Sequence, residues 1–247
     1  MNLRRFLGLL STAVYLLLIG IGPINSWDQS LLAERINCED GEEFIVDGNI
    51  VVESVIPLVE NEKIIVDSNS FRLLYYRDDQ LVKSYPVAIG TPKTPSPIGE
   101  WKVIHKGGSW GGGFGARWLG INVPWGIYGI HGTNKPGSIG SRSSHGCIRM
   151  YNQHVTELYK MVKVGTPVFI RGNPPRVSLR KEFQIKATGK DVLLLQFALR
   201  KAGFDPGMAD ARYGSGTELA VSRVQAFYGL AVTGKTTLNE QYLLGLR

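Results

Sequence analysis

Two short stretches decide how this chain reads: His131-Gly132-Thr133-Asn134 and Ser143-Ser144-His145-Gly146-Cys147-Ile148-Arg149-Met150, with Cys147 sixteen positions after His131. A free thiol has a pKa of about 8.5 and is little ionised at neutral pH, so a cysteine nucleophile needs a neighbouring imidazole or cation. His131, His145 and Arg149 supply both. Gly146 admits a ligand carbonyl close to the backbone, and the N–H groups around Gly146 and Cys147 are placed to face a developing oxyanion. With the chain extended after Cys147, side chains two apart share a face, which sets Arg149 beside the thiol. A guanidinium there grips a substrate carboxylate. The same two histidines and cysteine superficially suit zinc, but their glycine- and serine-rich context does not, and Glu157 is the sole acid between residues 101 and 175. We expect no metal and no cofactor.

Upstream, residues 63–67, 71–77, 81–89 and 100–106 alternate as strands. Asp78-Asp79 joins two of them as a tight hairpin, and Thr91-Pro92-Lys93-Thr94-Pro95-Ser96-Pro97 interrupts pairing because proline lacks a ladder donor. A glycine-rich region carrying Trp110, Phe114, Trp118 and Trp125 follows. Downstream, Val155, Leu158, Tyr159 and Val162 recur as one buried stripe, predicting a helix over 151–162, and Val168-Phe169-Ile170 returns as a strand. The region 63–172 is therefore read as a mainly β, mixed-sheet domain with a short helix.

Asn173-Pro174-Pro175 opens a stretch poor in apolar periodicity, read as a linker over 173–186. From 187 to 247 a small all-α, three-helix domain is expected. Helices over 191–202 and 217–228 are stopped by Gly203 and Gly229, and a third starts at Thr237, where Glu240 completes a capping box. The order helix, glycine, hydrophobe, loop, glycine, threonine occurs twice, as an internal half-repeat.

The 131–149 block resembles that of the L,D-transpeptidase (YkuD-type) catalytic domain, in which a His-Gly precedes Ser-His-Gly-Cys and a further Arg or Asn. Tyr85-Pro86-Val87-Ala88-Ile89-Gly90 and Thr94-Pro95-Ser96-Pro97-Ile98-Gly99-Glu100 resemble that family's strand and proline loop. The resemblance implies Cys147 as nucleophile, His131 as base oriented by a backbone carbonyl near Gly132, and His145 as a further catalytic-loop residue. It also implies Ser144, Gly146 and Gly132 as loop and oxyanion-hole positions and Arg149 as a substrate-carboxylate contact. Apart from the resemblance, Tyr128 and Asn134 are candidates to touch the substrate or to support the residues that do. The implied reaction joins peptidoglycan stem peptides by 3,3 cross-links through a cysteine thioester, with release of D-alanine. Carbapenem-type inhibitors are expected to acylate the thiol. A carboxypeptidase or endopeptidase using the same residues, and a non-catalytic wall-binding protein, are the alternatives. The C-terminal domain resembles the small peptidoglycan-binding type through Leu195-Gln196, Leu199, Gly203, Asp210, Tyr213-Gly214, Thr217 and Gln225, with Ala211 where that family often has glycine.

The formal charge of +7 is unevenly spread: residues 27–100 are rich in acids, whereas 101–175 are basic. Without Lys/Arg runs or aromatic ribonucleoprotein signatures, this charge suits an anionic small substrate or wall surface, not nucleic acid. Arg4-Arg5 followed by an apolar run from Phe6 to Gly22 reads as a signal peptide or membrane anchor within 1–26, which implies an extracytoplasmic, wall-associated protein. An acidic segment spans 27–62. Its Cys38 has no motif around it, so the two cysteines are read as functionally unequal instead of as a disulfide.

Overall fold

In the computed structural model, residues 61–109 and 111–247 are described. The apolar N-terminal run, the acidic segment to residue 60 with Cys38, and Trp110 lie outside them. Asp78 and Asp79 close the expected hairpin with φ of 50° and 60°, a conformation that short polar side chains tolerate and that matches strand twist. They join β2 (Arg72–Arg77) to β3 (Gln80–Pro86), and β1 (Glu62–Asp67) pairs antiparallel with β2. The strand expected over 81–89 is broken. Pro86 has no N–H to continue the ladder, so the chain leaves the sheet and Ile89–Gly90, β4, pairs in parallel with β8 (Arg142–Ser144) in a separate two-stranded sheet.

The main sheet also contains β5 (Gly99–Gly107), β6 (Trp118–Ile121), β7 (Tyr128–His131), β9 (Ile148–Arg149) and β10 (Pro167–Arg171). Its eight strands run in the order β3-β2-β1-β10-β5-β6-β7-β9, with β1–β10 and β7–β9 parallel and the remaining pairs antiparallel. Helix α1 (Asn152–Met161) buries Val155 and Leu158 in the core with Ile64, Leu73, Trp101, Ile130 and Ile148. Burying each such side chain fully contributes about 1.5–3 kcal/mol. This packing fixes β7 and β9, the strands beside which His131 and Cys147 lie.

The C-terminal region forms three helices, α2 (Lys190–Lys201), α3 (Ser215–Phe227) and α4 (Leu238–Leu243). Both hydrogen bonds of the Thr237–Glu240 capping box are made. Two buried glutamines hold the loops of the half-repeat. Gln196 accepts from Ala211 N and donates to Thr217 Oγ1, while Gln225 accepts from Gly234 N and donates to Glu240 Oε1. The stretch 173–186 is not merely a linker. Phe183 is 2% exposed in the helical core and bridges to Thr236, and Arg180 forks onto Asp191. A single buried phenylalanine anchors this segment, so no periodicity announces it.

The helices are packed onto the sheet. Leu193, Ala209 and Ala211 belong to the same core as the β strands. Glu100 accepts from Arg200 at 2.5 and 3.0 Å and from Ala209 N at 2.9 Å, and its own N–H donates to Ala209 O. Arg212 donates to the carbonyl of Asn122 at 2.6 Å. Among the described residues no helix is long and apolar enough to cross a membrane.

Candidate active site

Cys147 sits just before β9 and His131 ends β7; because these strands pair in parallel with His131 opposite Arg149, the three side chains converge on one open cavity of about 430 Å³. His145 and Ser144 also line it, with Phe114 and Trp118. The thiol is partly exposed and unpaired with any cysteine among the described residues.

His131 is held on three sides. Its Nδ1 lies 2.5 Å from the carbonyl oxygen of Gly132, which assigns the Nδ1–H tautomer and leaves Nε2 as the basic nitrogen. Trp118, its cross-strand partner, stacks on the ring at 5.5 Å and 24°, and Phe114 meets it edge-on at 5.2 Å. Gly129 makes the stacking possible, since a Cβ there would lie 2.6 Å from the Trp118 ring. Burial pushes the imidazole pKa below its ordinary value. The Gly132 carbonyl opposes this, the Arg149 charge adds to it, and the Phe114 carbonyl opposes it again. The ring is thus neutral and able to accept a proton. Burial pushes the Cys147 thiol up, with Gly129 N–H and the Arg149 charge pulling the other way. Both shifts favour the uncharged forms, a thiol beside a neutral imidazole.

Ser144 organises the loop that carries Cys147. Its hydroxyl donates to Cys147 O at 2.6 Å and accepts from Gly146 N at 3.0 Å. Gly146 N–H is therefore already engaged, contrary to the expectation that it faces an oxyanion. Gly146 has φ of +115° and would place a Cβ 2.7 Å from Tyr128, so no larger residue fits. Arg149 donates to Ser143 O at 3.2 Å and directs its charge at both the thiol and the imidazole.

Tyr128 packs against Gly146 from an adjoining pocket, and Asn134 is exposed in a third cavity with Tyr151 and Gln153, apart from the thiol. Gly132 permits a close approach: a Cβ would lie 2.1 Å from Asn152 Oδ1. Asn152 is a site residue the motif did not reveal. Its Oδ1 accepts from Ala116 N and Thr133 N, and its Nδ2 donates to Thr133 O, pinning the Phe114 loop to the His131 loop. An Asn at the start of a helix reads as an ordinary terminus, which hides this task. Among the described residues no set of three or more His, Cys, Asp or Glu is arranged to hold a metal.

Residues 61–170 match the family model of the YkuD L,D-transpeptidase catalytic domain, and residues 188–239 match that of a "Putative peptidoglycan binding domain". The chain is 44% identical over 121 residues to "Putative L,D-transpeptidase YkuD" of Bacillus licheniformis, covering 47% of this chain and 72% of the relative. It is 36% identical over 129 residues to "Putative L,D-transpeptidase YqjB" of Bacillus subtilis, covering 46% and 73%. Among solved structures, an Enterococcus faecium L,D-transpeptidase aligns at 28% identity and a TM-score of 0.41, over 47% of this chain and 51% of that one.

Proposed function

From the premise that the chain belongs to the YkuD family of L,D-transpeptidases and carries a peptidoglycan-binding domain, we propose that it forms 3,3 cross-links between peptidoglycan stems through a thioester on Cys147. The observation that carries this reading is the convergence of Cys147, His131 and Arg149 on one open cavity. Nε2 of His131 takes the thiol proton as Sγ attacks the carbonyl joining the third-position diamino acid to the terminal D-alanine. The N–H groups of His145 and Cys147 face the tetrahedral oxyanion, Gly146 being held by Ser144. His131 then gives its proton to the departing amine, and D-alanine leaves a thioester behind. A side-chain amine of a second stem attacks the thioester, His131 accepts a proton from it, and the thiol is restored. Arg149 holds a substrate carboxylate beside the reacting bond.

A wall substrate places the site of action outside the cytoplasm, and the N-terminal apolar run supplies the export signal or anchor. On this reading carbapenems acylate the same sulfur. The test is incubation with defined tetrapeptide muropeptides and mass analysis of products. Wild type should yield cross-linked dimers and D-alanine, and Cys147→Ala should lose about 10³-fold or more of the rate. Trimmed stems without dimers would indicate a hydrolase, and equal rates for the two proteins would remove the assignment.

A further inference from the structure

A second pocket, of about 230 Å³, adjoins the thiol cavity, and His145 lines both. Its near wall is the ring of Tyr128 and the carbonyl of Pro95, which enclose Gly146 so closely that a Cβ there would lie 2.7 and 3.3 Å from them. Gly146, which that wall encloses, is one Cα step of about 3.8 Å from Cys147. The 94–97 loop forming the wall is itself fixed: Gly90 N donates to Ser96 Oγ at 2.9 Å, and Thr94 Oγ1 donates to Ser144 O at 3.2 Å.

The far wall comes from outside the β domain. Asn173 and Pro175, which follow β10, and Lys190 of α2 line it, so the seated helical region completes a pocket that the β domain begins. Its charged groups are Lys93 and Lys190, and no acid lines it. Lys190 is the first residue of α2, where a cation opposes the helix dipole, so helix stability does not account for it. Its ammonium lies 5.7 Å from the ring centroid of Trp125, which leads it to the pocket.

We propose that this pocket takes the acyl-donor stem on the side away from the scissile bond, with Lys93 and Lys190 recognising the free carboxylate of its second, D-glutamyl residue. The inference rests on the reading above. The leaving D-alanine and the amine that replaces it share one side of the reacting carbonyl, where Arg149 stands. The retained acyl part must extend to the other side, past His145. A neutral, amidated glutamyl residue would bring no charge to the two ammonium groups, so the pocket selects unamidated stems.

The experiment uses the full chain and two tetrapeptide stems differing only in amidation of the second residue, with D-alanine release as the readout. Wild type should favour the free acid about tenfold in kcat/KM, through KM. Lys93→Glu/Lys190→Glu should reduce that preference to within twofold, and Lys190→Arg should retain it. Acylation of Cys147 by imipenem, which lacks this stretch of peptide, and the Tm report that the double variant is folded. A wild type blind to amidation overturns the inference while leaving the function standing, as does an effect confined to the amine acceptor or one that tracks loss of Tm. No D-alanine release from either stem removes the functional reading and this inference together.

Discussion

The indole of Trp118 lies against the imidazole of His131 as its cross-strand neighbour, ring centres 5.5 Å apart, so the base is desolvated by the sheet that carries it. On the proposed mechanism this contact sets the acid limit of activity. His131 would have to be neutral to act, and its pKa lies below the ordinary histidine value of 6.5 mainly because it is buried. Wild type should therefore keep its kcat/KM down through mildly acidic pH. In Trp118→Ala water reaches the ring, the pKa rises and the acid limb should move to higher pH, with a stability loss of about 3–5 kcal/mol. Trp118→Phe keeps an aromatic cover and should move the limb less. A pH profile of D-alanine release that is identical in all three proteins would remove this account.

The resting thiol should behave as an un-ionised one. Burial raises its pKa above the ordinary thiol value, so iodoacetamide alkylation of Cys147 should climb with pH through the alkaline range. A rate plateau at neutral pH would instead indicate a standing thiolate–imidazolium pair.

Asn152 binds three backbone groups of the two loops that meet at His131. Asn152→Ala should cost about 2–4 kcal/mol, since two amides and a carbonyl lose their partner. It should also speed hydrogen exchange at Ala116 and Thr133 and lower kcat by freeing Phe114. Unchanged exchange at both amides would show that other contacts hold the loops.

Residues 61–247 should unfold in one calorimetric transition, because Leu193, Ala209 and Ala211 share the core of the sheet. Arg200→Leu should lower that transition more than Glu100→Gln/Arg200→Leu, since the single change leaves the Glu100 carboxylate, 17% exposed, without its cation. Two separated transitions in wild type would contradict the shared core.

Much of this was legible in the sequence where chemistry and period agree. The hairpin at Asp78-Asp79, the stripe of α1 and the Thr237–Glu240 box each pair a local preference with a buried face, and each formed within a residue or two of the expected bounds. The spacing of His131 and Cys147 anticipated a shared cavity because His131 ends β7 and Cys147 immediately precedes its parallel partner β9. What escaped was tertiary. Asn152 and Phe114 reach the site only through loop packing, Phe183 is one buried residue without a pattern, and the expected strand over 81–89 breaks at a proline whose lost donor outweighs the apolar run beyond it. Ala211 is instructive. It stands at φ of 62°, which explains why glycine is usual at that position, and its methyl group is buried in the shared core.

Seating the helices on the sheet through Glu100 has a mechanical outcome. An arm on a slack tether would let the nucleophile sample stems at many offsets along a held sugar strand. Here the bracket is a shared core, so on the proposed function a sugar strand held by α2–α4 would meet Cys147 at one reach, and stems would be accepted only at matching intervals along it.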